Sequence, residues 1–374
     1  MRKLFITVNA DWFFLSHRKD LALAAKKAGY DVTIITTETG KMKVIRDLGL
    51  KTIEMPMNRT GMNLFQELRT LAFFYKLYKK EKPDVVHHVG LKPMMWGGLA
   101  AKLVKTNGVV NAVSGLGFLF NPGQKPSLVA KMVLKLLGFS QNRKNLFVIF
   151  QNHENKQYFL DHHVVKDEQC VFIKGSGVDL SDFNYTPEPE EGKLKVIFTS
   201  RMIVEKGVFV LTDAAEILRK KYENRVEFLL CGGLNDNPNS LTEDDLNKVT
   251  DNKYIKWLGY RTDVRDLLKA SHIVAFPSYY GEGIPKSLIE ATAIGRPIIT
   301  TNSVGCKDTV EDGKNGFLIP IKDSKSLAEK LDMLLQNREL RLQMGRYSRE
   351  IAEKNFSLDV VIKKHLDTYN SLIR

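Results

Sequence analysis

The sequence predicts an α/β protein made of two doubly wound, Rossmann-like domains that face a central cleft. The chain has 374 residues, more than a single hydrophobic core usually serves, so two domains are expected. Short apolar runs alternate with stretches of helical periodicity along the whole chain, which is typical of parallel α/β structure. A short polar linker separates two such units of similar size.

In the first half of the chain, six apolar runs predict buried strands. They are KLFITVN (3–9), YDVTIITT (30–37), DVVHHVG (84–90), GVVNAVSG (108–115), NLFVIFQN (145–152) and CVFIKG (170–175). Helical stretches lie between them. In SHRKDLALAAKKAG, Ser16 is expected to cap the start of the helix and Gly29 to end it.

The segment YTPEPEEGK, residues 185–193, predicts a linker because it contains two prolines and three glutamates. After it the strand pattern starts again. The predicted strands are KVIFTS (195–200), RVEFLLCGG (225–233), YIKWLGY (254–260), HIVAFPS (272–278), RPIITT (296–301) and GFLIPI (316–321). Ligands of doubly wound sheets bind beyond the carboxyl ends of the strands, so the cleft between the domains is the expected site.

The composition, 43% hydrophobic and 26% charged, is typical of a soluble globular protein. No apolar run approaches the ~18–20 residues of a spanning helix. Asp11 interrupts the apolar N-terminus and no small-residue cleavage site follows, which favours a first strand over a signal peptide. The three cysteines lack metal-like spacing, which fits a reducing cytoplasm without disulfides.

The net charge of +13 is concentrated in the first half of the chain. Residues 1–186 contain 27 basic and 15 acidic side chains, whereas the remainder contains 29 and 28. Residues 85–153 contain eight basic side chains and no acidic one. This distribution predicts an anionic partner for the first half.

Two basic segments of this half combine apolar and basic residues at helical spacing. They are NLFQELRTLAFFYKLYKK (63–80) and KPSLVAKMVLKLLGFSQNRK (125–144), where Lys131 and Lys135 are four residues apart. Such surfaces could bind an anionic bilayer. The alternative is that their apolar faces pack in the core and the lysines are only solvated.

The stretch FPSYYGEGIPKSLIEATAIGRP, residues 276–297, combines a glycine-rich bend with two carboxylates, Glu282 and Glu290. Pro285 is expected at the first position of a helix, whose free amides then form an anion site beside the bend. A carboxylate accepts two hydrogen bonds side by side, which suits a ribose or sugar diol. The alternative is an ordinary capping residue and a solvated helix glutamate.

A second candidate segment is FTSRMIVEKGV, residues 198–208, where a strand ends and a helix begins. Arg201 and Lys206 lie in the turn between them, and two such cations can bind a pyrophosphate. The alternative is a pair of surface cations. Both candidate segments follow strands of the same domain, so we expect them at one sheet edge.

Arg201 and Lys206 in SRMIVEKG, followed by Glu282 and Glu290 in EGIPKSLIE, resemble the donor-site signature of GT4-type retaining glycosyltransferases, which have the GT-B fold. The resemblance covers essentially the whole chain. Further similar segments are SHRKDLALAAKKAGYDVTIIT, GSGVDLSDF, CGG (231–233), WLGY (257–260) and GKNGFLIP (313–320). The combination of HHVGLKP, NAVSGLGFLF and EGIPKSLIEATAIGRPIITTNSVGC is similar to bacterial enzymes that extend lipid-carrier-linked oligosaccharides for capsule or O-antigen.

The resemblance implies catalytic roles for three residues: Arg201 and Lys206 neutralise the donor diphosphate as it leaves, and Glu282 contacts the donor sugar. This is electrostatic stabilisation where charge develops. Glu290 is implied to bind the ribose hydroxyls. The backbone amides of Gly283 and Ile284 are implied to help hold the phosphate or the sugar.

One position departs from the resemblance. Many members of the superfamily carry a sugar-contacting histidine after the strand that corresponds to VVNAVSG, and here that position is Ser114. The loop with Ser114, Gly115 and Gly117 is therefore expected on the sugar side.

Three histidines are possible contacts on the acceptor side, namely His17, His87 and His88, with a structural role as the alternative for each. His87 and His88 are adjacent, so on a strand they face opposite ways and form a poor chelating pair. Since the sequence contains no D-x-D, the expectation is that no metal or other cofactor is used.

The resemblance implies an acceptor domain over residues 1–186, a donor domain over 187–355 and a C-terminal helix, about 356–374, that packs back on the first. The expected reaction is retaining transfer of a hexosyl or N-acetylhexosaminyl group to a polyprenyl-diphosphate-linked saccharide, and analogy favours a UDP-linked donor. The expected location is the cytoplasmic face of the cell membrane, with peripheral binding to its anionic surface.

Other classes of protein fit less well. A sugar phosphorylase or nucleotide-sugar epimerase of the same fold is the nearest enzymatic alternative. A nicotinamide or flavin enzyme should show G-x-G-x-x-G after the first strand, where VNADWFFLSH has no glycine. A nucleic-acid-binding protein would fit the pI of about 9.4, but no stacking or recognition-helix motif is present.

Overall fold

The structure is a computed structural model that describes residues 1–57, 63–116, 127–235, 239–281 and 283–373. The chain forms two compact units. Unit 1 comprises Met1–Gly177 and Leu358–Arg374, and unit 2 comprises Val178–Ser357. Residue 186, the predicted domain boundary, lies inside unit 2. The linker belongs there because the Glu188 carboxylate accepts two hydrogen bonds, at 2.7 and 2.9 Å, from the guanidinium of Arg341.

Unit 1 contains a seven-stranded sheet. Its strands are β1 (Arg2–Thr7), β2 (Tyr30–Thr36), β3 (Lys51–Glu54), β4 (Val85–Val89), β5 (Gly108–Ala112), β6 (Leu146–Phe150) and β7 (Cys170–Phe172). The strands pair in the order β3-β2-β1-β4-β5-β6-β7, and every pairing is parallel. The order reverses between β1 and β4, which makes their carboxyl ends a topological switch point.

The six strands predicted for this half are confirmed, and β3 was not predicted. This strand has four residues at the sheet edge, and both of its end residues, Lys51 and Glu54, are exposed. A short edge strand lacks the continuous apolar run by which buried strands are recognised.

The helices of unit 1 cover both faces of its sheet. They are α1 (Asp11–His17), α2 (Lys19–Lys27), α3 (Met42–Asp47), α4 (Leu64–Glu81), α5 (Leu91–Leu103), α6 (Leu128–Gln141), α7 (His153–Asp161) and the C-terminal helix Leu358–Ser371. The predicted cap at Ser16 is wrong, because this residue lies inside α1 and its hydroxyl donates to the carbonyls of Trp12 and Phe13. Gly29 follows α2 with a φ of +94° and ends it as predicted.

Unit 2 contains a six-stranded parallel sheet. Its strands are β8 (Leu194–Thr199), β9 (Val226–Cys231), β10 (Ile255–Trp257), β11 (Ile273–Phe276), β12 (Ile298–Thr301) and β13 (Gly316–Ile319). All six were predicted. They pair in the order β10-β9-β8-β11-β12-β13, so the switch point of this unit lies at the carboxyl ends of β8 and β11.

The helices of unit 2 complete its doubly wound arrangement. They are α8 (Val208–Tyr222), α9 (Glu243–Val249), α10 (Val264–Lys269), α11 (Lys286–Ile294), α12 (Ser324–Gln336) and α13 (Arg338–Ile351). The C-terminal helix of unit 1 is α14. Among the described residues, no helix combines the length and the apolar character that crossing a membrane requires.

Candidate functional site

Two loops meet at the switch point of unit 2, because the strands that precede them are hydrogen-bonded neighbours. Val196 of β8 pairs with Ile273 of β11. We call residues 200–207 the β8 turn and residues 277–281 the β11 bend. The two segments that the sequence singled out are therefore adjacent at one sheet edge, as expected.

The β8 turn is held by backbone hydrogen bonds to the loop that follows β9. The amide of Met202 donates to the carbonyl of Gly233 at 3.1 Å, and the amide of Val204 donates to the carbonyl of Asn239 at 3.0 Å. These bonds fix the path of the turn that carries Arg201 and Lys206.

Gly207 ends the β8 turn and precedes α8, with a φ of +84°. A Cβ atom at this position would lie 2.2 Å from the carbonyl oxygen of Pro277. Only glycine therefore allows the β8 turn to approach the β11 bend this closely.

The β11 bend is centred on Ser278, which is fully buried. The amide of Tyr279 donates to the carbonyl of Glu205 at 2.9 Å, and the hydroxyl of Ser278 donates to the same carbonyl at 3.3 Å. The carbonyl of Ser278 accepts a bond from the hydroxyl of Ser303 at 3.1 Å. Ser278 thus links the loops that follow β8, β11 and β12.

The two predicted cations of the site differ in environment. Arg201 is exposed and forms no ion pair with any part of the chain that the structure describes. Lys206 is only 4% exposed, and its ammonium lies 5.5 Å from the ring centroid of Phe276 and 5.1 Å from that of Tyr280. Both rings attract a cation.

Glu290 lies in the second turn of α11, with its side chain 15% exposed. The ammonium of Lys286 lies 3.9 Å from its carboxylate. Burial is the main cause that raises the pKa of Glu290 to about 7; Lys286 opposes the rise and Asp182 adds a smaller contribution to it. The carboxylate predicted to bind a diol is therefore largely desolvated and titrates near neutral pH.

The helix α11 begins one residue later than predicted, since Pro285 occupies the position before its first residue. Gly283 and Ile284 precede it and are buried. Glu282 lies outside the described residues.

The predicted sugar-side loop follows β5 in unit 1. Ser114 and Gly115 are half-buried, and Gly117 lies outside the described residues.

His87 and His88 lie in the interior of unit 1, on opposite faces of β4 as predicted. The Nδ1 atom of His87 lies 2.6 Å from the hydroxyl of Tyr369, and His88 bonds to Tyr78 at 2.9 Å and to Asn111 at 2.7 Å. Burial lowers the pKa of His88 to about 4 and that of His87 well below its ordinary value. Full burial of both rings does not fit the expected contact with an acceptor.

His17 is half-buried at the end of α1. Its ring stacks on Phe13, with centroids 4.2 Å apart, and its Nδ1 atom lies 2.6 Å from the hydroxyl of Ser16. Of the three histidines, only His17 keeps part of its surface exposed.

The sequence reasoning missed Glu205, Ser278 and Tyr280, all of which lie within the two candidate segments. Their residue types gave no signal, because a buried serine or a cation–π partner is recognised only from its neighbours in space. Within the described ranges, no group of three or more histidine, cysteine or acidic side chains could hold a metal ion.

A second feature lies on unit 1, where α4 and α6 each pack against α5. Both helices expose large apolar side chains. They are Leu64, Phe65, Leu68 and Tyr75 on α4, and Leu128, Val129, Met132 and Phe139 on α6. Lys131 and Lys135 are exposed on α6 as well. We call these exposed residues of the two helices the basic apolar surface.

Comparison with known proteins gives two family matches along the chain. Residues 3–152 match "Glycosyl transferase 4-like", and residues 184–351 match "Glycosyl transferases group 1". Together the two matches cover most of both units, including the β8 turn, the β11 bend and α11.

Individual relatives match over nearly their full length. The chain is 28% identical to the N,N'-diacetylbacillosaminyl-diphospho-undecaprenol alpha-1,3-N-acetylgalactosaminyltransferase of Campylobacter jejuni, covering 96% of this chain and 98% of that protein. It is 26% identical to the UDP-Gal:alpha-D-GlcNAc-diphosphoundecaprenol alpha-1,3-galactosyltransferase of Escherichia coli, covering 92% and 90%.

Among solved structures, Anabaena HepE in complex with UDP superimposes with a TM-score of 0.78 at 18% identity, covering 99% of this chain and 100% of that one. This likeness shows the fold. The chain is a GT4-type group 1 glycosyltransferase with the GT-B fold.

Proposed function

We propose that this glycosyltransferase moves a sugar from a UDP-linked donor to a saccharide carried on a polyprenyl diphosphate, with retention of anomeric configuration. The observation that carries the proposal is the near-complete alignment with two relatives named for undecaprenyl-diphosphate-linked saccharides. A UDP donor is supported by the name of the second relative and by the complex of HepE with UDP. The preferred donor sugar is an N-acetylhexosamine.

In this proposal the β8 turn stabilises the leaving group. Cleavage of the anomeric bond moves negative charge onto the diphosphate, and preorganised cations lower the energy of that state. Arg201 offers a planar fork of donors and Lys206 a point charge. Lys206 is the more desolvated of the two, so its interaction with the diphosphate is less screened by water. The proposal assigns this role to side chains and includes no metal ion.

The carboxylates are assigned to hydroxyl groups of the donor. Glu290 is assigned to accept hydrogen bonds from the ribose diol. Its side chain is only 15% exposed, and a buried carboxylate needs hydrogen-bond donors in place of water, which the diol would supply. Glu282 is assigned to the donor sugar. The amides of Gly283 and Ile284 are assigned to the phosphate or sugar, and the loop of Ser114, Gly115 and Gly117 to the sugar side.

The donor assignment is tested with a panel of nucleotide sugars and thermal unfolding. The true donor should raise the unfolding temperature of the wild type, and Glu290→Ala should abolish the shift. A matched control is Glu339→Ala, since Glu339 is an exposed glutamate of the same unit, with its side chain 80% exposed. Stabilisation that survives Glu290→Ala would contradict the ribose assignment.

The reaction class is tested by following UDP release. Transfer predicts release of UDP only when a lipid-diphosphate saccharide is present, together with a product one sugar longer. Formation of a sugar 1-phosphate from inorganic phosphate would indicate a phosphorylase. Conversion of the donor sugar without acceptor would indicate an epimerase.

We further propose that the basic apolar surface docks on the anionic inner face of the cell membrane, where a lipid-linked acceptor lies. Apolar side chains enter the headgroup region and lysines attract anionic lipids. The exposure of Phe65 at 77%, Leu128 at 80% and Met132 at 72% supports this assignment, because large apolar side chains seldom cluster on a solvated surface.

This docking is tested by flotation with vesicles that contain anionic or only zwitterionic lipids. Binding should require anionic lipid, weaken with added salt and fall in the Phe65→Ser/Met132→Ser variant. The control is Ile217→Ser, which changes an apolar side chain of unit 2 that is 54% exposed. An equal loss of vesicle binding in both variants, or binding that does not change with salt concentration, would contradict the proposal.

A further inference from the structure

We infer that Tyr280 is a positioning residue for Lys206, whose ring holds the ammonium where it meets the donor diphosphate. The inference rests on the proposed function, in which Lys206 contacts that diphosphate. Tyr280 itself is assigned no contact with the donor.

The first observation is the environment of the ammonium. Its Nζ atom lies 5.5 Å from the ring centroid of Phe276 and 5.1 Å from that of Tyr280, and the residue is only 4% exposed. A cation held near a ring face is stabilised by the ring quadrupole, most strongly where water is excluded.

The two rings have different supports. Phe276 is the last residue of β11, is 1% exposed and stacks on Phe198 with centroids 5.6 Å apart. Its position is therefore fixed by the core of unit 2. Tyr280 is half-buried and lies on the β11 bend, so its position depends on how that bend is held.

The bend is held by the same turn that carries the lysine. The amide of Tyr280 donates to the hydroxyl of Ser278 at 3.3 Å, and that hydroxyl donates to the carbonyl of Glu205, the residue before Lys206. The amide of Tyr279 donates to the same carbonyl. The backbone that carries the ring is consequently hydrogen-bonded to the backbone that carries the lysine.

The neighbouring tyrosine supplies an internal comparison. Tyr279 is also half-buried, but its ring lies 4.9 Å from the ammonium of Lys322 rather than near Lys206. Replacement of either ring removes a similar apolar area from the same bend. Only replacement of Tyr280 removes a ring beside Lys206.

The test measures UDP affinity by calorimetry in the full-length protein. Tyr280→Phe keeps the ring and should change the dissociation constant less than about twofold, whereas Tyr280→Leu should raise it roughly tenfold or more, as expected for a desolvated cation–π pair. Tyr279→Leu should leave it near the wild-type value. Uridine, which lacks the diphosphate, should bind all four proteins equally.

A second measurement separates the ring's electrostatic effect from its packing. Phenylalanine analogues with increasing fluorine substitution at position 280 keep the shape of the ring while removing charge from its face. UDP affinity should fall stepwise along this series. A flat series, a rise in affinity, or equal losses in Tyr279→Leu and Tyr280→Leu would each overturn the inference. Failure of the wild type to bind any nucleoside diphosphate would instead overturn the proposed function on which the inference rests.

Discussion

At the scale of single residues, Glu290 makes the proposed donor site sensitive to pH. Burial raises its pKa to about 7 against the opposing effect of Lys286. Only the ionised carboxylate accepts both hydrogen bonds from a diol, because the protonated form uses one oxygen as a donor. Donor affinity should therefore be full above pH 7 and be lost as the pH falls through that value.

The prediction is a roughly tenfold weaker UDP affinity at pH 6 than at pH 8, since about a tenth of a group with a pKa near 7 is ionised at pH 6. Calorimetric titrations across this range measure it. Glu290→Gln should bind weakly with a profile that reflects only the ionisation of UDP. Lys286→Met should move the midpoint to higher pH, because it removes the cation that opposes protonation. Identical profiles for wild type and Glu290→Gln would contradict the assignment.

The candidate site also shows what single residues reveal before a structure is known. Arg201, Lys206 and Glu290 were selected as candidates from charge and spacing, because ionised groups near glycines and strand ends are visible in the sequence. Ser278 and Tyr280 were not identified. Their importance comes from the carbonyl of Glu205 and the ammonium of Lys206, and which groups meet across two loops is decided by the pairing of β8 with β11.

At the scale of elements, α14 carries a buried titratable group into the core of unit 1. His365 is 1% exposed, its ring centroid lies 5.7 Å from that of His87, and burial lowers its pKa to about 3 with a further contribution from Arg18. Its Nδ1 atom lies 2.8 Å from the carbonyl of Val361, so that nitrogen carries the proton of the neutral ring.

A depressed histidine pKa makes the folded state lose stability in acid. The unfolded chain takes up a proton near pH 6.5 and the folded chain does not, so this stability is present above 6.5 and declines as the pH falls toward 3. His365→Phe should reduce the slope of unfolding free energy against pH by up to about 1.4 kcal/mol per pH unit in this window. Denaturant unfolding between pH 4 and 7.5 measures it.

The control for this slope is an exposed histidine, and His153→Phe is suitable because His153 is exposed at the start of α7. An unchanged slope in His365→Phe would show that the histidine is not buried in neutral form. A similar loss of slope in both variants would show that the acid sensitivity does not come from α14.

Elements also differ in how well the sequence predicts them. The twelve predicted strands are all present, because each is a buried run of apolar residues in a parallel sheet. The edge strand β3 was missed for lack of such a run. The start of the first helix was misplaced as well: Ser16 resembles a cap, but the chain is already helical from Asp11, and the break falls at Arg18, between α1 and α2.

At the scale of the whole molecule, the two units differ in chain continuity. Unit 2 is one continuous segment, Val178–Ser357, whereas unit 1 needs α14 from the far end of the chain. In unit 1, Val361 and Tyr369 belong to a core cluster with Leu4, Ile6 and other residues of the central strands. The hydroxyl of Tyr30 also donates to the side chain of Asn370 at 2.7 Å.

This difference predicts different behaviour of fragments. Residues 178–357 contain a complete sheet and the residues assigned to the donor diphosphate and ribose, so this fragment should unfold cooperatively and be stabilised by UDP. Residues 1–177 lack α14 and leave the apolar face around Leu4 and His87 uncovered, so they should be unfolded or aggregated. Circular dichroism and thermal unfolding of both fragments measure the outcome.

The complementary experiment adds α14 back. Fusing residues 358–374 to the end of residues 1–177 through a flexible linker should restore cooperative unfolding, because the helix needs only to reach its own site. The matched control is the same fusion with Tyr369→Ser and Val361→Ser, which should not restore it. A stable fragment 1–177 without α14 would show that unit 1 does not need the C-terminal helix in order to fold. The fragment 178–357 could also fold without binding UDP. That outcome would show that unit 2 folds independently but that donor binding requires groups outside it. The contributions of Glu290 and of the sugar-side loop of unit 1 would then be separated in the full chain.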